Sequence, residues 1–469
     1  MSFVKFKRAA MIFFVVTTLV FPGSVSAISV SQEKELAKEF LAKIKKYKPV
    51  INDPLAADFI SEIGRSITAQ VPPQPFDFSF RIINEEQFNA FAGPGANIFI
   101  NRGLITSLDN VDELAGILAH ETGHAVCRHV SQMIDRSKFV NIGTLAGMLA
   151  GVLMGASGGG DIAQGMVVGS AAVGQSTMLA FSRENETEAD QKGLVYASKA
   201  SFSPGGLLTS LEKIRANDWY GTEKIPGYLK THPGSKERIV SIQSWIDDHY
   251  HPDGLDHGID PFRFEMIKYR LAGLYGKKDQ TEKRLAGLLE KEPDNPAIHY
   301  GMALVLARKS VLNRALDHLK TALSVKPFDP MVLVEMGRIY CLKGEYQKAL
   351  TLFTGLDSSP GIKPLVWYYR GRAHLETGSL DQAEEDFSKV IETDIEPFPR
   401  AYYNMANVFG KKGSSEMSHF YLGLYFHQRQ DMKNSCFHLK KSLETLSDPE
   451  KKHKALSLVK KCRKQVRAN

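Results

Sequence analysis

The sequence predicts a mainly α-helical protein with a small β-sheet, its C-terminal half a superhelix of paired helices. Three observations carry that prediction. Apolar residues recur at helical spacing over Gln32–Tyr47, Pro54–Ala69 and about Val111–Ile134. Two short segments, Phe76–Ile83 and Ala96–Ile100, read as strands. Beyond residue 260, prolines recur at a nearly constant 34-residue interval.

In chain order, Lys5, Lys7 and Arg8 precede an apolar run from Ala9 to Phe21, then Pro22-Gly23 and Val25-Ser26-Ala27. A basic start, a short apolar core and small residues at a cut site form a secretory signal, here residues 1–27. The 13-residue core is shorter than the ~20 residues that a spanning helix needs. Ile28 rather than Cys follows the cut, so no lipid-modified N-terminus is expected.

Pro72-Pro73-Gln74-Pro75 separates the first two helices from a strand with Phe76, Phe78 and Phe80 on one face. Gly93-Pro94-Gly95 turns the chain into the second strand. Asp109 or Asn110 caps the third helix, with Asp112 and Glu113 favourable in its first turn. Residues 139–156 and 162–181 are largely apolar and long enough for a membrane hairpin, but Asn141, Gln164, Gln175 and several glycines favour two buried or surface-lying helices.

The polar, turn-rich stretch Asp248–Asp260 divides a first domain, 28–250, from a second, 260–469. In the second, Pro296, Pro330, Pro364 and Pro399 are spaced by 34, 34 and 35 residues. Seven residues after each proline stands a small residue: Ala303, Gly337, Gly371 and Ala406. Ala315, Ala349 and Ala383 follow twelve later, and Leu319, Phe353 and Phe387 four after those. Small residues let two antiparallel helices approach and large ones fill the gap, which is the tetratricopeptide pattern. Leu422-Gly423 with Phe426 starts a further, less regular unit.

Composition excludes several classes. Apolar residues at 43% and charged residues at 24% argue against wholesale disorder, and four cysteines in 469 residues rule out a disulfide framework. Cys436 and Cys462 stand where neighbouring helices meet, with Cys341 another potential partner, and no pairing is assigned. The formal charge of +7 falls to +4 without the leader, too mild to imply a nucleic-acid partner. Eight Lys and Arg crowd Lys451–Asn469, a solvated helix face or, on the sharper reading, a peripheral contact with an anionic membrane surface.

The chemistry lies at His120-Glu121-Thr122-Gly123-His124. Histidines at i and i+4 on one helix face can hold one metal ion, and the glutamate between them is placed to accept a proton from water. Apolar Leu114, Ile117 and Leu118 bury this helix, so its polar residues need a partner. Ala119 and Gly123 keep the helix slim there. His129 lies on a different face and is read as structural or supporting. Among Glu184, Glu186 and Glu188, residue chemistry does not choose a third ligand; Asp190, one turn beyond Glu186, can hold a ligand imidazole.

The runs NAFAGPGANIFINRGLI, ELAGILAHETGHAVCRH, AFSRENETEADQKGL and THPGSKERI resemble the zinc metallopeptidases that include HtpX and the CAAX prenyl endopeptidase, over roughly residues 30–245. The whole chain looks like the periplasmic members of that family that carry C-terminal tetratricopeptide repeats. The resemblance implies one Zn(2+) per chain on His120, His124 and Glu186, Glu121 as general base and Asp190 behind the metal. It implies that His232 is an oxyanion stabiliser or a gating ligand.

The expected function is zinc-dependent cleavage of misfolded or stalled outer-membrane proteins in the periplasm, with the repeats recruiting substrate or the assembly machinery. If the strand at Ala96–Ile100 is a sheet edge, it aligns extended substrate. The alternatives are a repeat-based chaperone or scaffold, and an intramembrane protease using 139–181 as a hairpin.

Overall fold

The computed structural model describes residues 28–137, 146, 149, 182–219, 228, 231–232, 236–250, 256–358, 360–393 and 398–468. The leader and nearly all of the apolar stretch 139–181 lie outside the described residues. Among those described, no helix is long and apolar enough to cross a membrane.

Helix α1 (Val30–Tyr47) begins at a capping box in which Ser29 and Gln32 bond each other's backbone. It buries Leu36, Phe40 and Ile44 against Phe91 and Phe99. Helix α2 (Pro54–Thr68) starts at Asp53, whose carboxylate accepts from Ala56 N, and lays Phe59, Ile60, Ile63 and Ile67 into the main core.

The sheet has four strands, β1 (Val50–Ile51), β2 (Ser79–Ile83), β3 (Ala90–Gly93) and β4 (Asn97–Asn101), in the order β1-β2-β4-β3. Strand β4 runs parallel to β2, with Ile82 opposite Ile100, and antiparallel to β3 through the turn at Gly95 and Ala96. The segment Ala96–Ile100 is therefore an interior strand and not the edge that would accept a substrate strand. Strand β3 occupies that edge; its Ala90-Phe91-Ala92-Gly93 is wholly buried and so shows no polar alternation to read.

After the short α3 (Arg102–Ile105), helix α4 (Val111–Val126) is capped by Asn110. It stops eight residues before the sequence suggests. Arg128 adopts φ +52°, a left-handed turn uncommon outside glycine, and α5 (His129–Ser137) starts afresh. The Arg128 guanidinium holds that turn by bonding Glu33 of α1 (2.6 and 2.9 Å) and the Ile28 carbonyl. Helices α6 (Arg183–Lys199), α7 (Gly205–Trp219) and α8 (Lys236–His249) complete the N-terminal part.

The repeats follow as antiparallel helices: α9 (Pro261–Tyr275) with α10 (Lys278–Leu289), α11 (Pro296–Arg308) with α12 (Leu312–Val325), and α13 (Pro330–Leu342) with α14 (Tyr346–Phe353). Then come α15 (Lys363–Thr377), α16 (Leu380–Glu392), α17 (Pro399–Lys411), α18 (Ser415–Gln428), α19 (Met432–Ser442) and α20 (Pro449–Ala468). The repeating prolines fall at helix starts, where a missing N–H costs nothing. A Cβ on Gly337 would lie 2.3 Å from the Phe353 ring, which is why the small position faces the large one sixteen residues on. Gly423 faces Leu439 at the same offset, so α18 and α19 form the irregular unit expected there. The α9/α10 pair was not foreseen; Pro261, 35 residues before Pro296, is its sequence mark.

One apolar core runs without a gap from Ile51 through α2, α4, α7 and α9 to Ala373 in α15. Where α2 meets the repeats, Arg270 of α9 is buried. It grips both oxygens of Asp53 (2.7 and 2.8 Å) and donates to Tyr300 Oη (2.6 Å) and Glu335 (2.7 Å). The four cysteines are free thiols.

Candidate metal centre

Helices α4 and α6 touch almost backbone to backbone. A Cβ on Gly123 would lie 2.6 Å from the Ala189 carbonyl, and one on Gly193 would lie 2.9 Å from His120 N. This close approach brings residues of α6 to the His120–His124 face. Ser182 and Asn185 cap α6 and fix its start, so that Glu186 and Asp190 point inward while Glu184 and Glu188 stay exposed. Of the three glutamates, the helix phase turns Glu186 toward His120 and His124.

His120, His124, Glu186 and His232 are all buried, and one ligand atom from each lies within 4.8 Å of the rest. His120 Nε2 is 3.1 Å from His124 Nε2 and 3.3 Å from His232 Nδ1. Glu186 Oε1 is 3.3 Å from His124 Nε2 and 3.0 Å from His232 Nδ1. A tetrahedron with zinc–nitrogen bonds of ~2.0–2.1 Å has edges of about 3.3 Å. The four atoms therefore have the spacing of a tetrahedral ligand shell.

Proton bookkeeping supports the same occupant. Asp190 Oδ1 accepts from His120 Nδ1 (2.8 Å), leaving the Nε2 lone pair facing the cluster. Glu188 accepts from His129 Nε2 (3.3 Å), His129 Nδ1 then accepts from His124 Nδ1–H (2.9 Å), and His124 Nε2 also faces inward as a lone pair. Two lone pairs 3.1 Å apart repel unless a cation lies between them. Among the described residues, Glu121, Glu186 and Asp190 gather at this site with Arg238 as a neighbouring cation. A divalent ion would add positive charge where the acids converge.

Burial pushes the Glu121 carboxyl above its usual range, opposed by His232 and His120. The Glu121 carboxyl meets the backbone of Ala92, and His232 Nε2 is 3.5 Å away. Burial would also raise Glu186, but His232 and His124 override it and hold that carboxyl well below the usual range. Asp190 is likewise depressed against its burial by His120 and Arg238. Burial holds His124 well below the usual imidazole value, so it stays neutral and able to ligate. Burial opposes protonation of His232 too, but Glu186 and Glu121 outweigh it and raise its value.

Two participants were not foreseen, Arg238 and Tyr228, and Glu188 takes a part other than metal ligand. Arg238 of α8 grips Asp190 with two nitrogens (2.7 and 2.8 Å) and reaches Glu186 (2.5 Å). It lies six residues after His232, inside the run THPGSKERI. Tyr228 stacks its ring on His232, with centroids 4.6 Å apart and planes 20° from parallel. Glu188 acts through His129, which the break at Arg128 carries onto His124 although its helical phase points elsewhere.

Residues 57–246 match the model of peptidase family M48. This part of the chain is an M48 peptidase domain. The beta-barrel assembly-enhancing protease of Escherichia coli K12 is 24% identical over 396 residues, covering 76% of this chain and 80% of that protein. The mitochondrial metalloendopeptidase OMA1 of Schizosaccharomyces pombe is 30% identical over 190 residues, covering 40% and 53%. Among solved structures, the pilus biogenesis factor PilW covers 45% of this chain and 94% of its own at 15% identity, with a TM-score of 0.35. The M48 domain makes the chain a metalloendopeptidase, and the histidine–glutamate cluster lies within the matched residues.

Proposed function

We propose that the chain is an exported zinc metalloendopeptidase that cleaves misfolded or stalled outer-membrane proteins in the periplasm. The leader 1–27 directs export, residues 28–250 carry the peptidase, and the repeats of 260–469 recruit substrate or assembly partners. The four-atom cluster of His120, His124, Glu186 and His232 carries the reading. The M48 match and the name of the Escherichia coli relative, a beta-barrel assembly-enhancing protease, support it.

His120, His124 and Glu186 would hold one zinc ion. When bound, zinc polarises the scissile carbonyl and makes water more acidic. Glu121, its carboxyl raised by burial, accepts the proton of the attacking water and returns it to the leaving amine. Asp190 and Arg238 orient His120 and Glu186 from behind. His232 would gate the site: its Nδ1 lies 3.0 Å from Glu186 Oε1 and 3.3 Å from His120 Nε2, beside the atoms that would hold the ion.

Glu121→Gln tests the base. Zinc, measured by elemental analysis, should remain at one per chain, while cleavage of an unfolded protein falls by roughly 10²–10⁴-fold. Persistent cleavage at full zinc occupancy would sink the assignment.

A further inference from the structure

A cavity of about 600 Å³ opens where the start of α2 meets the inner faces of α9, α13 and α15, with α17 and α18 along its rim. That volume is typical of ligand sites. Five arginines line it against two carboxylates, Asp53 and Glu335, a surplus of three positive charges. Arg270 is fully engaged with Asp53, Tyr300 and Glu335. The others are not. Arg338 bonds Glu335 through Nε, but its Nη2 is buried without a hydrogen-bond partner. Arg308 donates to the Gly273 and Gly276 carbonyls (2.8 Å each). Burial and Arg102 hold its guanidinium below the usual value, with no carboxylate among the causes to offset them. Arg400 and Arg429 are exposed at the rim, and Arg429 donates to a phenol, Tyr425 Oη (2.8 Å).

Among these cations the wall is aromatic: Tyr368 stacks on Phe398, centroids 5.7 Å apart, beside Tyr369. A planar guanidinium with free N–H groups selects a carboxylate, and an aromatic wall selects a flat apolar side chain beside it. Concave repeat surfaces bind extended segments. We propose that this cavity binds an extended polypeptide through a carboxylate flanked by an aromatic side chain, either its free C-terminus or an internal Asp or Glu. This rests on the reading that the repeats recruit polypeptide, and it places the recruited segment against α2, the helix that backs α4.

The test uses the full chain carrying Glu121→Gln, so that binding is read without cleavage and a failed peptidase assignment leaves it intact. Fluorescence anisotropy follows three labelled decapeptides: one ending in a free phenylalanine acid, one in the phenylalanine amide, and an amide with an internal Asp-Phe. At least one carboxylate-bearing peptide should bind 10-fold or more tightly than the plain amide. The exposed pair Arg400→Ala and Arg429→Ala should remove that advantage with an unchanged melting temperature. Tighter binding by the free acid alone assigns a chain end; equal binding by the Asp-Phe peptide assigns an internal acid. Equal binding of all three peptides, or an advantage that survives the double substitution, overturns the proposal. So does binding of anionic phospholipid vesicles through the same two arginines when none of the peptides binds, which assigns the site to a lipid.

Discussion

The molecule holds two buried clusters of charge that are built alike and behave differently. At the junction with the repeats, Arg270 meets Asp53, Glu335 and Tyr300, and Arg338 adds a second cation against the two acids. Its central ion pairs balance. At the metal centre, three carboxylates face one arginine and imidazole lone pairs face each other at 3.1 Å. Both lie buried between helices, so burial alone does not separate a site from a structural joint. The separation lies in the sign of what is enclosed: at the joint two arginines pair with two acids, whereas at the metal centre carboxylates and imidazole lone pairs converge and call for a cation.

The largest expected effect comes from breaking the balanced cluster. Arg270→Met leaves Asp53 and Glu335 buried without their main cation, and loss of one partner of a buried pair costs about 3–5 kcal/mol. Denaturant unfolding should show this loss, with zinc per folded chain unchanged. A loss below about 1 kcal/mol would mean that the acids find water or other partners. A smaller effect is expected at the metal centre. His129→Ala removes the acceptor that fixes the His124 tautomer, and such outer-shell changes weaken metal affinity about 10–100-fold. Competition with a zinc chelator measures it. Unchanged affinity would show that His124 keeps its ligating tautomer unaided.

Most of this architecture is legible in the sequence because it rests on periodicity. The spacing of prolines and small residues locates the repeat helices since each small residue must face a large one, as Gly337 faces Phe353. The i, i+4 histidines and the i, i+4 pair Glu186 and Asp190 are legible for the same reason. What stays hidden depends on contacts between distant segments. The break at Arg128 is stabilised by Glu33, 95 residues earlier, and that break is what turns His129 toward His124. The choice of Glu186 over its neighbours depends on how α6 lies against α4, and Arg238 reaches Asp190 from 48 residues away. Strand β3 is buried along its whole length and β1 has two residues, so neither presents an alternating pattern.

The smallest effect sharpens the comparison by pH. Burial alone would raise the Glu335 carboxyl, but Arg338 and Arg270 outweigh it and hold it below its ordinary value of 4.5. A carboxyl whose value is depressed on folding adds stability in full above its unfolded value, and that stability is lost as the pH falls through the folded one. Wild type should therefore lose stability as pH drops below about 4.5. Arg270→Met has already weakened the interaction that depresses Glu335, so it should lose less on the same acidification. The stability gap between the two proteins should narrow with falling pH, read from unfolding midpoints at matched ionic strength between neutral pH and pH 3. A gap that stays constant across that range would place the worth of Arg270 in packing and in its bond to Tyr300 rather than in its pairing with Glu335.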